Sequence, residues 1–124
     1  MPNSENKYGT ELILDLYQCD VSKFTEQTLR VFFIELCKEI DMERYGEPMF
    51  WIDNSDTPHL KGVSAVQFIT TSNVTIHCLD KLQTVFINLF SCKPYDTKQA
   101  KTFCENYFQA ADSRESVIGR YYNS

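Results

Sequence analysis

Two segments of this sequence carry the same spacing of apolar residues, and that spacing limits the possible folds more than any other feature. Apolar residues recur at offsets 0, 3, 4, 7, 8 and 11 from Leu29 and again from Ala100. This spacing predicts two helices, at about residues 25–40 and 96–111, each with a single apolar stripe. Because each helix can bury only that stripe, both are expected to lie on the same face of a sheet.

The strands of the sheet are predicted from short runs of alternating, β-branched or aromatic residues. They cover residues 11–17, 49–52, 62–69, 74–77, 84–92 and 116–122, and the polar residues 1–8 are expected to fray. The order is therefore β-α-β-β-β-β-α-β, within a single domain of 124 residues. The predicted fold class is α+β, a two-layer α/β sandwich with two helices on one face of an antiparallel sheet.

The second face of this sheet has no helix to cover it. The strands are rich in aliphatic residues, and a large apolar surface of a soluble protein usually contacts another molecule. We therefore predict a homodimer in which the sheets of two copies pack together.

Charge and hydropathy exclude two classes of partner. The net charge is −5 with a pI of about 4.9, and the Lys and Arg residues are scattered. Nucleic acids and anionic membranes both require a clustered basic surface, so neither is expected to bind. The first residues contain no basic region followed by an apolar run, so a secretory leader is not expected, and no apolar run approaches the ~18 residues of a membrane span. The predicted location is the cytoplasm.

The cysteines and histidines do not have the spacing of a disulfide framework or a metal site. There are five cysteines, an odd number without a C-x-x-C pair, and only two histidines, His59 and His77. In a cytosolic protein this pattern indicates free thiols and no bound metal.

Reactive side chains are concentrated in residues 62–92. The polar residues 70–73 separate two strands, which predicts a hairpin. If its loop is centred between Thr70 and Thr71, the numbers of facing residues sum to 141, and Ser64 lies opposite His77. Ser72 then lies beside the turn, and Cys92 lies at the end of the next strand. The sequence contains no G-x-S-x-G elbow, so a conventional serine hydrolase is rejected.

Four motifs in this part of the chain and near the N-terminus occur together in one protein family. They are residues 17–20 (YQCD), 62–64 (GVS), 72–77 (SNVTIH) and 89–92 (LFSC). In sequence and separation they resemble the prokaryotic-type S-adenosylmethionine decarboxylase family, over residues 9–107. The resemblance implies that family's fold and a pyruvoyl-dependent proenzyme that cleaves itself between Thr71 and Ser72. The products would be a β chain, residues 1–71, and an α chain, residues 72–124.

The resemblance also implies a role for each reactive side chain. The Ser72 hydroxyl attacks the Thr71 carbonyl, and Ser72 then becomes a pyruvoyl group that binds the substrate amine as a Schiff base. This self-derived cofactor makes pyridoxal phosphate and metals unnecessary. His77 is the base of processing, Ser64 supplies a hydroxyl for the oxyanion, and Cys92 is the proton donor in decarboxylation. The other four cysteines are interpreted as structural.

Three positions depart from the family pattern. Thr71 replaces a Glu before the cleaved bond, and residues 78–81 (CLDK) replace Thr-Trp-Pro-Glu, whose Trp and Glu bind the nucleoside. The loop at 53–61 also lacks the family's aromatic residue. Trp51 and Phe50 are candidates to replace the missing ring. Asp80 and Asp53, with Asp56, would form an acidic rim suited to a cationic side chain.

These departures leave three functions open for the small-molecule substrate. The first is S-adenosylmethionine decarboxylation in spermidine and other polyamine biosynthesis. The second is decarboxylation of ornithine or arginine by a pyruvoyl enzyme of the same fold. The third is an uncleaved paralogue that acts as a binding or regulatory subunit.

Overall fold

A computed structural model describes residues 6–123, in which six antiparallel strands form one sheet. The helices are α1 (Glu26–Glu39) and α2 (Thr97–Phe108), and a short 3₁₀ helix covers Val21–Lys23. The strands are β1 (Lys7–Tyr17), β2 (Met49–Asp53), β3 (Gly62–Ile69), β4 (Ser72–Leu79), β5 (Thr84–Ser91) and β6 (Asp112–Tyr121). Their order across the sheet is β2-β3-β4-β5-β1-β6. The predicted element order and fold class are confirmed.

Both helices pack on one face of the sheet, as their stripes predict. Helix α1 begins after Thr25, whose side chain accepts a hydrogen bond from the Thr28 N–H, and Asp96 caps α2 in the same way. The rings of Phe32 and Phe108, one from each helix, have centroids 5.1 Å apart. Between this helix layer and the sheet lies the core, whose strand residues include Leu12, Leu14, Leu16, Val74, Ile76, Ile87 and Leu89.

The largest differences from the predicted boundaries are at the start of β1, the end of α2 and the start of β6, and β4 extends two residues beyond the predicted 74–77 at each end. Helix α2 ends at Phe108 because Gln109 adopts a left-handed conformation, φ 51°, and the chain then enters β6 at Asp112. Residues 112–115 are polar, so sequence periodicity does not mark them as a strand; pairing with β1 determines their conformation. Lys7 and Tyr8 belong to β1 and are not frayed, while residues 1–5 of that predicted segment lie outside the described residues.

The opposite face of the sheet has no helix over it. Met49 and Trp51 are 69% and 70% exposed there, and Phe68 is 52% exposed. Because these side chains are large and apolar, a second layer packed on this face would remove apolar area from water. Over residues 6–123, none of the helices is both long and apolar enough to cross a membrane.

Candidate functional site

The register of the β3–β4 hairpin brings Ser64 and His77 together. Their Cα atoms are directly paired, as the arithmetic of the turn predicts, and the Ser64 Oγ lies 2.8 Å from the His77 Nδ1. Trp51 pairs with Ser64 on its other side, and Phe86 pairs with His77. The serine–histidine pair, Ser64 and His77, therefore lies on the uncovered face with an aromatic residue on each side.

The turn of this hairpin contains only Thr70 and Thr71, because β4 begins at Ser72. Two-residue hairpin loops usually need residues with positive φ. Within residues 6–123, the residues with positive φ lie elsewhere, so this turn has no left-handed backbone. Contacts from outside hold it instead: the Thr70 N–H donates to the Glu43 carbonyl at 2.9 Å, and the Thr71 carbonyl accepts a bond from the Cys92 N–H at 3.1 Å.

Cys92 follows the last residue of β5 and is brought to the turn by the pairing of β4 with β5, in which Ser72 faces Ser91. It lies in a hollow of about 180 Å³ whose lining includes Tyr8 and Gly9. A side-chain hydrogen bond with Cys92 raises the pKa of Tyr8. A Cβ on Gly9 would lie 2.3 Å from the Ser91 carbonyl oxygen, so only glycine permits this close approach of the strands.

Tyr8 was not identified from the sequence. The sequence signal for Tyr8 is an aromatic residue before a glycine at the start of a strand. This signal indicates a contact with Cys92 only if β1 is known to pair with β5. In the structure that pairing joins Thr10 to Ser91, which places the preceding residues beside Cys92.

The remaining cysteines are buried in the core. Burial raises the pKa of Cys19 and of Cys37 to about 11, and it also raises the pKa of Cys78 and Cys104. A thiol in such surroundings is protonated and inaccessible, which fits a packing role. Cys92 is the cysteine that is only half-buried.

A single chain does not gather all four reactive side chains. Ser72 and His77 are five residues apart on the extended strand β4, which separates them by roughly 16 Å. They also point to opposite faces, because side chains alternate along a strand. The expectation that three strands bring the four groups together is therefore wrong within one chain. The structure contains two groups: the serine–histidine pair, and a second group formed by Thr71, Ser72 and Cys92, which is called the cleavage group after its predicted role.

The predicted substrate-binding residues are divided between two places. Trp51 is exposed on the uncovered face beside Ser64, whereas the two aspartates lie at a hollow that residues 24–26, at the start of α1, also line. Asp53 and Asp80 line a hollow of about 140 Å³ beside Lys61. Hydrogen bonds from the Ser55 hydroxyl and N–H lower the pKa of Asp53. The Oδ1 atom of Asp80 is buried and has no hydrogen-bond partner among residues 6–123.

The acidic rim is already partly occupied by a cation. Lys81 lies 3.7 Å from the Asp56 carboxylate and donates to the Asp56 carbonyl at 2.8 Å. This ion pair reduces the charge available to a basic substrate. Among the described residues, no three His, Cys, Asp or Glu side chains are grouped as metal ligands.

Comparisons with known proteins point to one family. A family model described as S-adenosylmethionine decarboxylase matches residues 10–121. The fold is similar to the crystal structure of the adenosylmethionine decarboxylase from Aquifex aeolicus VF5, with a TM-score of 0.81 and 15% sequence identity. That match covers 96% of this chain and 95% of the other. A search of curated protein sequences gives no match.

Proposed function

Because this chain belongs to the S-adenosylmethionine decarboxylase family, we propose that it is a self-processing, pyruvoyl-dependent S-adenosylmethionine decarboxylase of polyamine biosynthesis. The family performs carboxy-lyase chemistry, and its members generally depend on a pyruvoyl group. The observation that carries the proposal is the placement of Cys92, which is 20 residues from Ser72 in sequence. Its N–H donates to the carbonyl of Thr71, the residue before Ser72, at 3.1 Å.

The first step of processing uses only residues of this chain. The Ser72 Oγ attacks the Thr71 carbonyl carbon, and the carbonyl electron pair moves onto the oxygen. The Thr71–Ser72 C–N bond then breaks, the Ser72 nitrogen takes up the proton that the hydroxyl has lost, and an ester joins the two residues.

A base completes the cleavage. Removal of the Ser72 Cα proton forms a Cα–Cβ double bond, breaks the Cβ–O bond and releases Thr71 with a free carboxylate. Water then hydrolyses the dehydroalanine to the pyruvoyl group and ammonia. We assign the proton removal to His77, which Ser64 orients through the 2.8 Å contact.

This assignment requires a second copy of the chain, since His77 is roughly 16 Å from Ser72 in the same copy. A twofold axis between the serine–histidine pair and the cleavage group would bring each His77 to the other copy's Ser72 in a face-to-face dimer. The proton that His77 removes is on the Ser72 Cα, a backbone atom of β4, and not on the side chain that points to the covered face. The exposed Trp51, Met49 and Phe68 give the uncovered face the apolar surface that such a contact needs. We therefore propose a homodimer in which each site uses residues from both copies.

The residues around Ser72 fit the proposed prosthetic group. When formed, the pyruvoyl group supplies an electrophilic ketone that captures the substrate amine and withdraws electrons from the bond to the carboxylate. Cys92 is the acid that returns a proton to the substrate, and its half-buried position beside a hollow allows contact with a small molecule. Tyr8 lines the same hollow as Cys92 and lies close enough for its pKa to be raised by interaction with that thiol.

We propose that the nucleoside of S-adenosylmethionine lies near Trp51, beside the serine–histidine pair on the uncovered face. An exposed indole ring offers a stacking surface for adenine. The ornithine or arginine alternative rests on the acidic rim and is weaker, because Lys81 already pairs with Asp56. The uncleaved-subunit alternative is supported only by the Glu-to-Thr71 departure.

The mass of the purified protein tests the proposal directly. We expect two chains, residues 1–71 and residues 72–124 with a blocked N-terminus, and release of labelled carbon dioxide from S-adenosylmethionine. Ser72→Ala should give one uncleaved chain. Cys92→Ala should still be cleaved, since its backbone is unchanged, but should lose turnover.

Two results would refute the proposal. A wild-type chain that stays intact would contradict self-processing. A cleaved protein that releases carbon dioxide from ornithine or arginine, and none from S-adenosylmethionine, would contradict the substrate assignment while leaving the processing chemistry in place.

A further inference from the structure

The side chain of Thr71, the residue before Ser72, forms a hydrogen bond with β5. The Thr71 Oγ1 lies 2.7 Å from the Ser91 Oγ, and Ser91 is fully buried at the end of β5. The Ser91 Oγ also accepts a hydrogen bond from the Lys93 N–H at 3.0 Å. Position 71, where the family usually has Glu, is thus occupied here by a hydroxyl with a specific partner.

The hydrogen bonds of these two hydroxyls are fully satisfied. One hydroxyl donates to the other, and the remaining O–H can reach the Met42 Sδ, which lies 3.5 Å from the Thr71 Oγ1 and 3.6 Å from the Ser91 Oγ. A buried hydroxyl with its bonds satisfied has little freedom to rotate. The Thr71 side chain is therefore fixed relative to β5.

Fixing this side chain also fixes the carbonyl of the bond to be cleaved. The Thr71 carbonyl oxygen accepts the Cys92 N–H at 3.1 Å, and Cys92 is the next residue after Ser91. Side chain and carbonyl of Thr71 are thus held by consecutive residues of one segment. A donor at this distance is suited to stabilise the negative charge that forms on the oxygen during attack. Ser64 of the same chain cannot supply that donor, because it pairs with His77, five residue pairs away from Ser72 along the hairpin.

We propose that the backbone N–H of Cys92 is an oxyanion donor for self-cleavage, and that Thr71 and Ser91 are positioning residues that hold the Thr71 carbonyl on it. This inference rests on the proposed cleavage between Thr71 and Ser72. It gives Cys92 two separable roles, one through its backbone in processing and one through its thiol in decarboxylation.

The test uses variants that remove or restore one hydroxyl. Thr71→Val keeps the β-branched shape and loses the hydrogen bond, and Ser91→Ala loses it from the other side. Each should slow cleavage by about tenfold or more, since a small misplacement of reacting groups has effects of that size. Thr71→Ser and Ser91→Thr, which keep the hydroxyl, should cleave within a few-fold of wild type.

Two further variants separate positioning from general damage. Thr70→Val removes a hydroxyl from the neighbouring, exposed turn residue and should leave the rate unchanged. The double variant Thr71→Val/Ser91→Ala should be no slower than either single variant, because both remove the same interaction. Melting temperatures of Thr71→Val and Thr71→Ser show whether the fold is equally stable in the two.

Cleavage can be followed after cell-free translation with labelled methionine. All three methionines lie in residues 1–71, so the label reports the intact chain and the β chain on one gel. A wild type that cleaves at the same rate as Thr71→Val would overturn this inference alone. A wild type that never cleaves would overturn the proposed function and this inference with it.

Discussion

Separation of His77 from Ser72 by roughly 16 Å along β4 leads to a prediction about two chains in one dimer. A base must approach to about 3 Å of the proton it removes. If His77 is the base of processing, as proposed, it cannot act on its own chain and must act on a second copy. A His77→Ala chain should stay intact alone and be cleaved when its dimer partner carries His77.

The size of the effect follows from random pairing. We would co-express a tagged His77→Ala chain with an equal amount of a Cys92→Ala chain, which keeps its histidine. Half of each chain then enters mixed dimers, so about half of the His77→Ala chains should be cleaved. The tag allows both forms of that chain to be measured on a gel.

A matched control replaces the helper chain. A chain with both His77→Ala and Cys92→Ala should give no cleavage of the tagged chain, although it dimerises through the same face. Recovery of the untagged chain with the tag shows that mixed dimers form. If they form and the tagged chain stays intact, or if His77→Ala alone is cleaved normally, the shared-site reasoning is wrong.

Three further predictions concern the thiols, one glycine and one carboxylate. In native protein at pH 8, iodoacetamide should modify Cys92 alone, as mapped by peptide mass spectrometry, because the other four cysteines are buried. Their raised pKa also lowers their reactivity: a pKa of about 11 at Cys19 leaves about 100-fold less thiolate there than the unperturbed value of 9 would. Gly62→Ala should lower the free energy of unfolding, measured in urea, by about 3 kcal/mol or more, because its Cβ would lie 1.8 Å from the Cys78 carbonyl oxygen. The control Gly46→Ala should lower it by about 1 kcal/mol, because a Cβ there would have no atom within 4 Å. Equal losses in the two variants would contradict this explanation. Hydrogen bonds from the Ser22 hydroxyl and N–H lower the pKa of Asp20, so its contribution to stability is present above the unfolded pKa and is lost as pH falls through the folded pKa. Asp20→Asn should therefore be less stable than wild type in urea at pH 7 and equally stable in strong acid, and a difference that persists in acid would rule out the carboxylate as its cause.

The sequence predicts those features that depend on local spacing. The helix stripes locate α1 and α2 to within a few residues, because periodicity and end signals lie within each segment. The pairing of Ser64 with His77 is equally local, since the centre of one turn determines the register of the whole hairpin. The polar start of β6 was missed because that segment is a strand only by virtue of its pairing with β1.

Contacts between strands that are distant in sequence could not be predicted from local spacing. The bond between Thr71 and Ser91 depends on the register of β4 with β5, and the contact of Tyr8 with Cys92 depends on the pairing of β1 with β5. The separation of Ser72 from His77 follows from the rise per residue only if residues 72–77 form one extended strand. The predicted strand began at residue 74, whereas β4 begins at Ser72.

The strand order β2-β3-β4-β5-β1-β6 has a consequence for a molecule cut after Thr71. The first fragment would carry β1, β2 and β3, and the second would carry β4, β5 and β6, so β1 of one fragment is inserted between two strands of the other. The fragments are interleaved and neither contains a continuous sheet, so they should separate only on global unfolding. Melting of the cut protein would then depend on its concentration, as for a heterodimer, and renaturation would require two chains to meet. A protein of this design would be assembled once, as a single chain, and would not readily be rebuilt from its parts.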